Sequence, residues 1–327
     1  VRYDEVLRAR LREIRSDRAA VKRGEDPRAF IPTGLRELDR RSGIKRGVLT
    51  IFGAATGEGK SILKLHLATA AAKAGHRVLM IDMEDPLERT ADRTLSTFTD
   101  VNNARIAAVD LTDREEQQLA RAVDDAGDWA ARIDVRDGLA TADEALAEII
   151  GTDADEVLVD YLQGFPDGDG GLERTIARFC WDLNKWAQDE RRAAVAFSQV
   201  TAGVEQRGLR AQENAQRRNP GAPACIEGFR PFGASDLAWC SAAGQRCKEL
   251  GFMFRPNRYR RRFNENVKDD VLELSFPKRN WGVEGTIRIG FDGKAARLYD
   301  LDEKEKTSAK EHQRVRTGGG DDVTGSR

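Results

Sequence analysis

The chain has 327 residues, 33% of them charged, yet acids and bases nearly cancel at a formal net charge of −1. That length suits one large α/β domain with appendages, and the balanced charge means that any basic surface for a nucleic acid has to be local. No apolar run approaches the ~20 residues needed to span a bilayer, and the start Val1-Arg-Tyr-Asp-Glu is too charged for a signal peptide, so a soluble cytoplasmic protein with no membrane partner is expected. The four cysteines, Cys180, Cys225, Cys240 and Cys247, show no C-x-x-C spacing and read as reduced thiols more readily than as zinc ligands.

In chain order, Tyr3 to Arg15 reads as a short amphipathic helix with Tyr3, Leu7, Leu11 and Ile14 on one face. The charged run up to Pro27 suits a linker, so residues 1–29 form a helix-and-linker segment ahead of a core spanning 30–300. The helix has to bury its stripe on its own domain or on a neighbouring subunit. An apolar strand, Val48 to Phe52, then runs into a small-residue loop ending in Gly59-Lys60-Ser61, and a helix-forming segment follows from Ile62 to Lys73. Strand, glycine loop and helix in that order form a phosphate loop. The backbone of Ala54, Ala55, Thr56, Gly57, Glu58 and Gly59 can wrap a polyphosphate, Lys60 can reach the β- and γ-phosphates, and Ser61 can hold Mg²⁺. Ala54 stands where the usual pattern begins with glycine, and Gly53 precedes it.

A second apolar strand, Arg77 to Asp82, ends at Met83-Glu84, and Asp85-Pro86 starts another helix. Helical patches near 113–126 and 141–150 flank a strand near Ile133. Glu156 to Asp160 is a buried strand, Gly164 to Gly171 a loop, Arg174 to Arg191 a helix, and Ala193 to Gln199 the next strand. This alternation implies a mostly parallel, doubly wound sheet. From about 200 to 235 the periodicity vanishes in a stretch carrying Arg207, Arg210, Arg217 and Arg218, which reads as a long functional loop. Strands resume at Leu250 to Phe254, Val271 to Phe276 and Thr286 to Phe291, the last two as an antiparallel pair, before a charged, glycine-rich tail over 301–327 that reads as disordered.

Three carboxylate or amide positions stand at strand ends, the edge where open α/β sheets place ligands. Asp160 is read as a second Mg²⁺ contact in preference to a helix cap. Glu84 is read as the base that orients the attacking water, with Asp85 the better placed cap for the helix that follows. Gln199 can meet a γ-phosphate, although spacing alone leaves its role open.

Taken together, these segments resemble the C-terminal motor domain of DnaB-type replicative helicases, hexameric members of the RecA-like ATPases. The resemblance covers about residues 30–300 and rests on several runs. Ile31-Pro-Thr-Gly-Leu-Arg-Glu-Leu-Asp39 leads into the core, Met83-Glu84-Asp85-Pro86 carries the catalytic glutamate, and Asp160-Tyr-Leu-Gln163 ends the metal-binding strand. Phe197-Ser-Gln199, Glu205-Gln-Arg207 and Lys278-Arg279-Asn280 follow, and Ala54 is itself usual in the family's loop. The resemblance implies ATP and Mg²⁺ as cofactors and Arg93 near the nucleotide base. It also implies Arg279, with Lys278 beside it, reaching from a hairpin tip into the next subunit's ATP site. Ser235-Asp-Leu237, with Gln245, occupies the place of a DNA-facing segment, but Ala238-Trp239 stand where the family continues with Arg-Glu, and Pro277 replaces the first lysine of the basic cluster. The helix at 3–15 lies where the family has a linker helix, with no counterpart of the primase-recruiting N-terminal domain ahead of it.

The implied function is a ring-forming, ATP-driven helicase that moves on single-stranded DNA at a replication fork, with Arg207, Arg210, Arg217 and Arg218 contacting the DNA phosphates. Its implied partners are identical subunits, the DNA, and a primase or helicase loader. A recombination or repair ATPase of the same superfamily and a non-motor ATP-binding replication accessory factor are the rivals. Glu84 and Arg279 speak against the second, because a binding switch needs neither.

Overall fold

The computed structural model of the chain describes residues 2–23, 30–168, 170–221, 223–263, 265–279 and 285–301. Helix α1 (Tyr3–Lys22) runs past the expected end at Arg15. No glycine or proline interrupts the charged stretch before Gly24, and its Arg, Ala and Lys residues favour helix over linker. Next come β1 (Phe30–Ile31), α2 (Arg36–Arg40), β2 (Ile44–Lys45), β3 (Val48–Ala54), α3 (Lys60–Lys73), β4 (Val78–Asp82), α4 (Leu87–Thr99) and α5 (Asn103–Ala107). The chain continues through α6 (Asp113–Ala130), β5 (Ile133–Asp137), α7 (Ala142–Gly151), β6 (Glu156–Asp160), α8 (Leu172–Glu190) and β7 (Ala193–Gln199). It closes with α9 (Ala202–Arg218), α10 (Ser241–Arg246), β8 (Glu249–Phe254), α11 (Pro256–Arg262), β9 (Val271–Arg279), β10 (Gly285–Asp292) and β11 (Arg297–Tyr299).

Among the described residues the main sheet has nine strands in the order β11-β10-β9-β8-β3-β7-β6-β4-β5. The run from β8 to β5 is parallel, and β9, β10 and β11 extend it antiparallel, as expected of the C-terminal hairpin. Strands β3, β4 and β6 are buried at every position, the unbroken apolar pattern of a sheet covered on both faces. The two-residue period sends Leu49 and Ile51 of β3 into a core shared with α7 and α8, while Phe52 and Ala54 enter a second core with α3. No described helix is long and apolar enough to cross a membrane.

The segment ahead of β3 is shaped by one carboxylate. Asp39 Oδ1 accepts from the Thr33 backbone and hydroxyl, both at 2.7 Å, and its Oδ2 accepts from Gly34 N at 3.2 Å. That is the physical content of the Thr-Gly…Asp spacing there.

The stretch from 200 to 235 is not the long loop expected from its lack of periodicity: α9 fills residues 202–218. Its inward face is Val204, Gly208 and Gln212, spaced by four but with a glycine and an amide where a hydrophobic signal is sought. Gly208 is needed for close approach, since a Cβ there would lie 2.3 Å from the Phe229 ring. The expected tail beyond 301, and residues 280–284 between the strands of the expected hairpin, lie outside the described residues.

Glu156 opens β6 at 0% exposure with neither carboxylate oxygen hydrogen-bonded among the described residues. Burial pushes its pKa to about 8, only partly opposed by Arg46. The folded state therefore keeps a proton that the unfolded chain releases near 4.5, and stability falls as pH rises from there to about 8. Glu156→Gln should raise the denaturant midpoint by a margin that grows through this window and levels off above it. Parallel pH profiles for variant and parent would contradict this account.

A candidate nucleotide and metal site at the carboxyl edge of the sheet

Parallel pairing aligns the strand ends two by two, Ala54 of β3 with Gln199 of β7 and Asp82 of β4 with Asp160 of β6, and the register of Val159 on Ala196 ends the second pair short of the first on the same edge. The expected chemistry-bearing residues therefore converge on one edge. Between β3 and α3 the chain turns through Gly59, whose φ of 100° suits glycine and whose missing Cβ leaves room for Phe291, which would otherwise be 2.9 Å away. No side chain caps α3, so the amides of its first turn remain available to an anion.

Lys60, the first residue of α3, is 7% exposed. Burial lowers its pKa, against the opposing pull of Asp160, Glu84 and Glu58, which places all three carboxylates within its field. Glu84 is exposed at the edge, its backbone N–H donating to Asp82 Oδ1 at 3.3 Å. Burial and then Asp160 push the Glu84 carboxyl above its ordinary range, with Lys60 partly opposing. The expected cap at Asp85 is absent: Pro86 holds the N-cap position of α4, and Asp85 instead pairs with Arg89 at 3.1 Å and with Arg93. Arg93, expected near the nucleotide base, thus has its guanidinium on Asp85.

Asp160 is wholly buried, and neither of its oxygens has a hydrogen-bond partner of good geometry among the described residues. Unsatisfied carboxylate oxygens beside the phosphate loop, together with the Ser61 hydroxyl, supply the hard oxygen donors that Mg²⁺ takes, so the residues present fit that ion. Its one close ionic partner is Lys64, unmarked in the sequence reading, whose Nζ stands 2.5 Å from Asp82 Oδ2 and 3.0 Å from Asp160 Oδ2. Burial alone would lower the pKa of Lys64, but Asp160 and Asp82 together hold it above its usual value. The available signal was a lone lysine inside the otherwise apolar run Ile62-Leu-Lys-Leu65.

Gln163, the last letter of the Asp160 motif, fixes Gln199. Its Oε1 accepts from Gln199 N at 3.1 Å, and its Nε2 donates to Ser198 Oγ at 2.8 Å and to Ala238 O at 2.5 Å. The loop itself is held by residues that the sequence reading also missed. Glu58, 1% exposed, accepts from Arg255 N at 2.7 Å and pairs with Arg258 at 2.9 Å, while both arginines donate to loop carbonyls, Arg255 to Gly57 O and Arg258 to Thr56 O.

Other expected positions depart from expectation. Arg279 does not project from a tip: its side chain is 0% exposed, 3.6 Å from Glu249 Oε2, and donates to Gly43 O at 2.8 Å. Glu249 is a buried carboxylate that needs cations, and it draws Lys45 as well, at 2.8 Å. Lys278 donates to Gln245 O of its own chain at 2.6 Å. Arg207 is likewise engaged, donating to Asp236, to Arg230 O at 2.8 Å and to Gly228 O, and lying 4.4 Å over the Phe232 ring. Arg210, Arg217 and Arg218 stand exposed on α9. In the segment likened to a DNA-facing one, Asp236, Leu237 and Ala238 are buried, whereas Ser235 and Trp239 are exposed. A cleft of about 1140 Å³ runs from Ala55, Thr56 and Gln199 past Trp239 to Arg261 and Arg262 of α11.

Comparison with known proteins accords with this geometry. The family model for the DnaB-like helicase C terminal domain matches residues 30–300. The replicative DNA helicase DnaC of Bacillus subtilis is 23% identical over 284 residues, which cover 84% of this chain and 57% of that protein. The replicative DNA helicase DnaB of Haemophilus influenzae is 26% identical over 290 residues, covering 84% of this chain and 56% of that protein. The chain thus spans little more than half the length of these curated relatives. A solved DnaB-like replicative helicase, described with its interactions with primase, superposes with a TM-score of 0.71 at 21% identity, covering 91% of this chain and 67% of that chain. This likeness is one of fold. On the family match over nearly all of its sheet, phosphate loop included, the chain belongs to the DnaB-like helicase C-terminal domain family.

Proposed function

We propose that this chain is the ATP-hydrolysing motor of a replicative DNA helicase, working with identical subunits as a ring, a hexamer by analogy with the family, on single-stranded DNA at the fork. The observation that carries the reading is the convergence of Lys60, Glu84 and Asp160 at one sheet edge. Lys60 and the loop amides hold the triphosphate. Ser61 and Asp160 would hold Mg²⁺, which would supply neutralising charge to the triphosphate. Glu84, with its raised pKa, is suited to take the proton of the attacking water. Gln199, fixed by Gln163, reaches toward the γ-phosphate and passes its presence to the adjoining start of α9. A role for Arg279 across an interface would require it to leave Glu249 and Gly43, and the reading does without it.

DNA contact is assigned to the exposed arginines of α9, Arg210, Arg217 and Arg218, with Trp239 available for stacking on a base. Arg207 is left out, because it holds Asp236 and two carbonyls. The stripe of α1 supports self-association: Tyr3, Leu7, Leu11 and Ile14 are 75%, 54%, 47% and 49% exposed, so the described residues of this chain do not cover them.

Glu84→Gln tests the chemistry. It should retain ATP binding and lose hydrolysis by ~10²-fold or more, the size of a general-base contribution. Near-normal turnover would make Glu84 a surface carboxylate.

Replacing Arg210, Arg217 and Arg218 together by alanine should weaken single-strand binding and flatten its salt dependence by up to ~2 in log–log slope, at about 0.7 per phosphate contact. ATPase activity without DNA should survive. An unchanged slope would move the DNA site elsewhere.

Removing residues 2–20 should lower the oligomeric state seen in sedimentation while leaving the thermal unfolding of the ATPase core in place. Intact rings after the deletion would sink the docking role of α1.

A further inference from the structure

Lys64 lies one helical turn beyond Lys60 on α3, and its side chain is 1% exposed. Its ammonium sits between two carboxylates, both 0% exposed, 2.5 Å from Asp82 and 3.0 Å from Asp160. The two aspartates are register partners on β4 and β6, so the sheet itself sets them side by side. Asp82 is further engaged: Oδ1 accepts from Glu84 N at 3.3 Å and Asp85 N at 3.1 Å, and Oδ2 accepts from Thr90 Oγ1 at 3.2 Å. Asp160 has only Lys64 close by, and neither of its oxygens has a hydrogen-bond partner of good geometry among the described residues.

This arrangement has a consequence for metal binding. A divalent cation approaching Asp160 alone meets a fixed ammonium 3.0 Å from one carboxylate oxygen, with Lys60 also in the field of the same group. Repulsion by two cations in so buried a site offsets the attraction of one free carboxylate. A triphosphate alters the balance, because its phosphates engage Lys60 and bring their own negative charge.

We infer that Lys64 is the resident counter-ion of Asp160: it positions that carboxylate and keeps the site from taking a divalent ion before the nucleotide arrives. The inference rests on the reading of Asp160 as the metal carboxylate. Free Mg²⁺ is then a poor ligand, and the ion enters with the phosphates. Through Asp82, the same ammonium also ties the backbone of Glu84 to the metal strand.

Mn²⁺ binding followed by electron paramagnetic resonance tests this without reference to turnover. The nucleotide-free parent should bind Mn²⁺ far more weakly than the parent with ADP. Lys64→Met, which keeps the length and removes the charge, should bind Mn²⁺ alone at least ~10-fold tighter, as expected when a unit charge a few ångströms away is lost. Adding Asp160→Asn should abolish that gain. Folded Lys64→Met that binds Mn²⁺ alone no better than the parent overturns the inference. Should that variant not fold, the parent decides: Mn²⁺ bound as tightly without nucleotide as with it also overturns the inference. If Asp160→Asn fails to weaken Mn²⁺ binding in the presence of ADP, it is the metal reading of Asp160 that falls, a result separable from the first.

Discussion

Two carboxylates without access to water cannot both remain ionised side by side unless a cation stands between them, and β4 and β6 end on such a pair. The register that aligns Asp82 with Asp160 follows from parallel pairing of two apolar strands, so the charge problem is built into the sheet. Lys64 answers it from α3, the helix that the phosphate loop enters. One ion triad thereby fixes the loop helix, the strand carrying Asp160, and the backbone at Glu84 relative to each other. Breaking such a buried set from one side costs about 3–5 kcal/mol, far more than a surface ion pair is worth.

The same device recurs on the other side of the loop. Glu58 and Glu249 are each 1% exposed: Arg258 pairs with the first, which also accepts from the Arg255 backbone N–H, and Lys45 and Arg279 meet the second. In both cases a cation from the C-terminal third reaches a segment near the phosphate loop or ahead of β3. The loop conformation is thus coupled to α11, and movement of that helix would be felt at Thr56 and Gly57, whose carbonyls accept from Arg258 and Arg255.

What the sequence made legible follows from this division. Strands such as Ala193–Gln199 and helices such as Leu172–Glu190 announce themselves because their apolar residues carry the period of the element that buries them. The phosphate loop and the strand-end carboxylates are legible for a different reason, since local spacing fixes their place. Helix α9 was illegible because its buried face uses Gly208 and Gln212, whose fit to Phe229 and Cys225 N is a tertiary fact. Lys64 was overlooked because its partners come from strands 18 and 96 residues further along the chain.

Arginines are the hardest residues to read, because sequence shows the cation and hides the carboxylate. Arg207, Arg217 and Arg218 look alike in a polar stretch, yet Asp236 draws Arg207 inward while the other two remain on the surface. Arg279 has the composition of a projecting tip residue, yet Glu249 at the start of β8 holds it inside. The deciding quantity in each case is a buried carboxylate with lone pairs to fill, which has no local signature. For the exposed cations on α9 the argument runs the other way. With no buried acid claiming them among the described residues, they add little to stability and leave a local basic surface on α9.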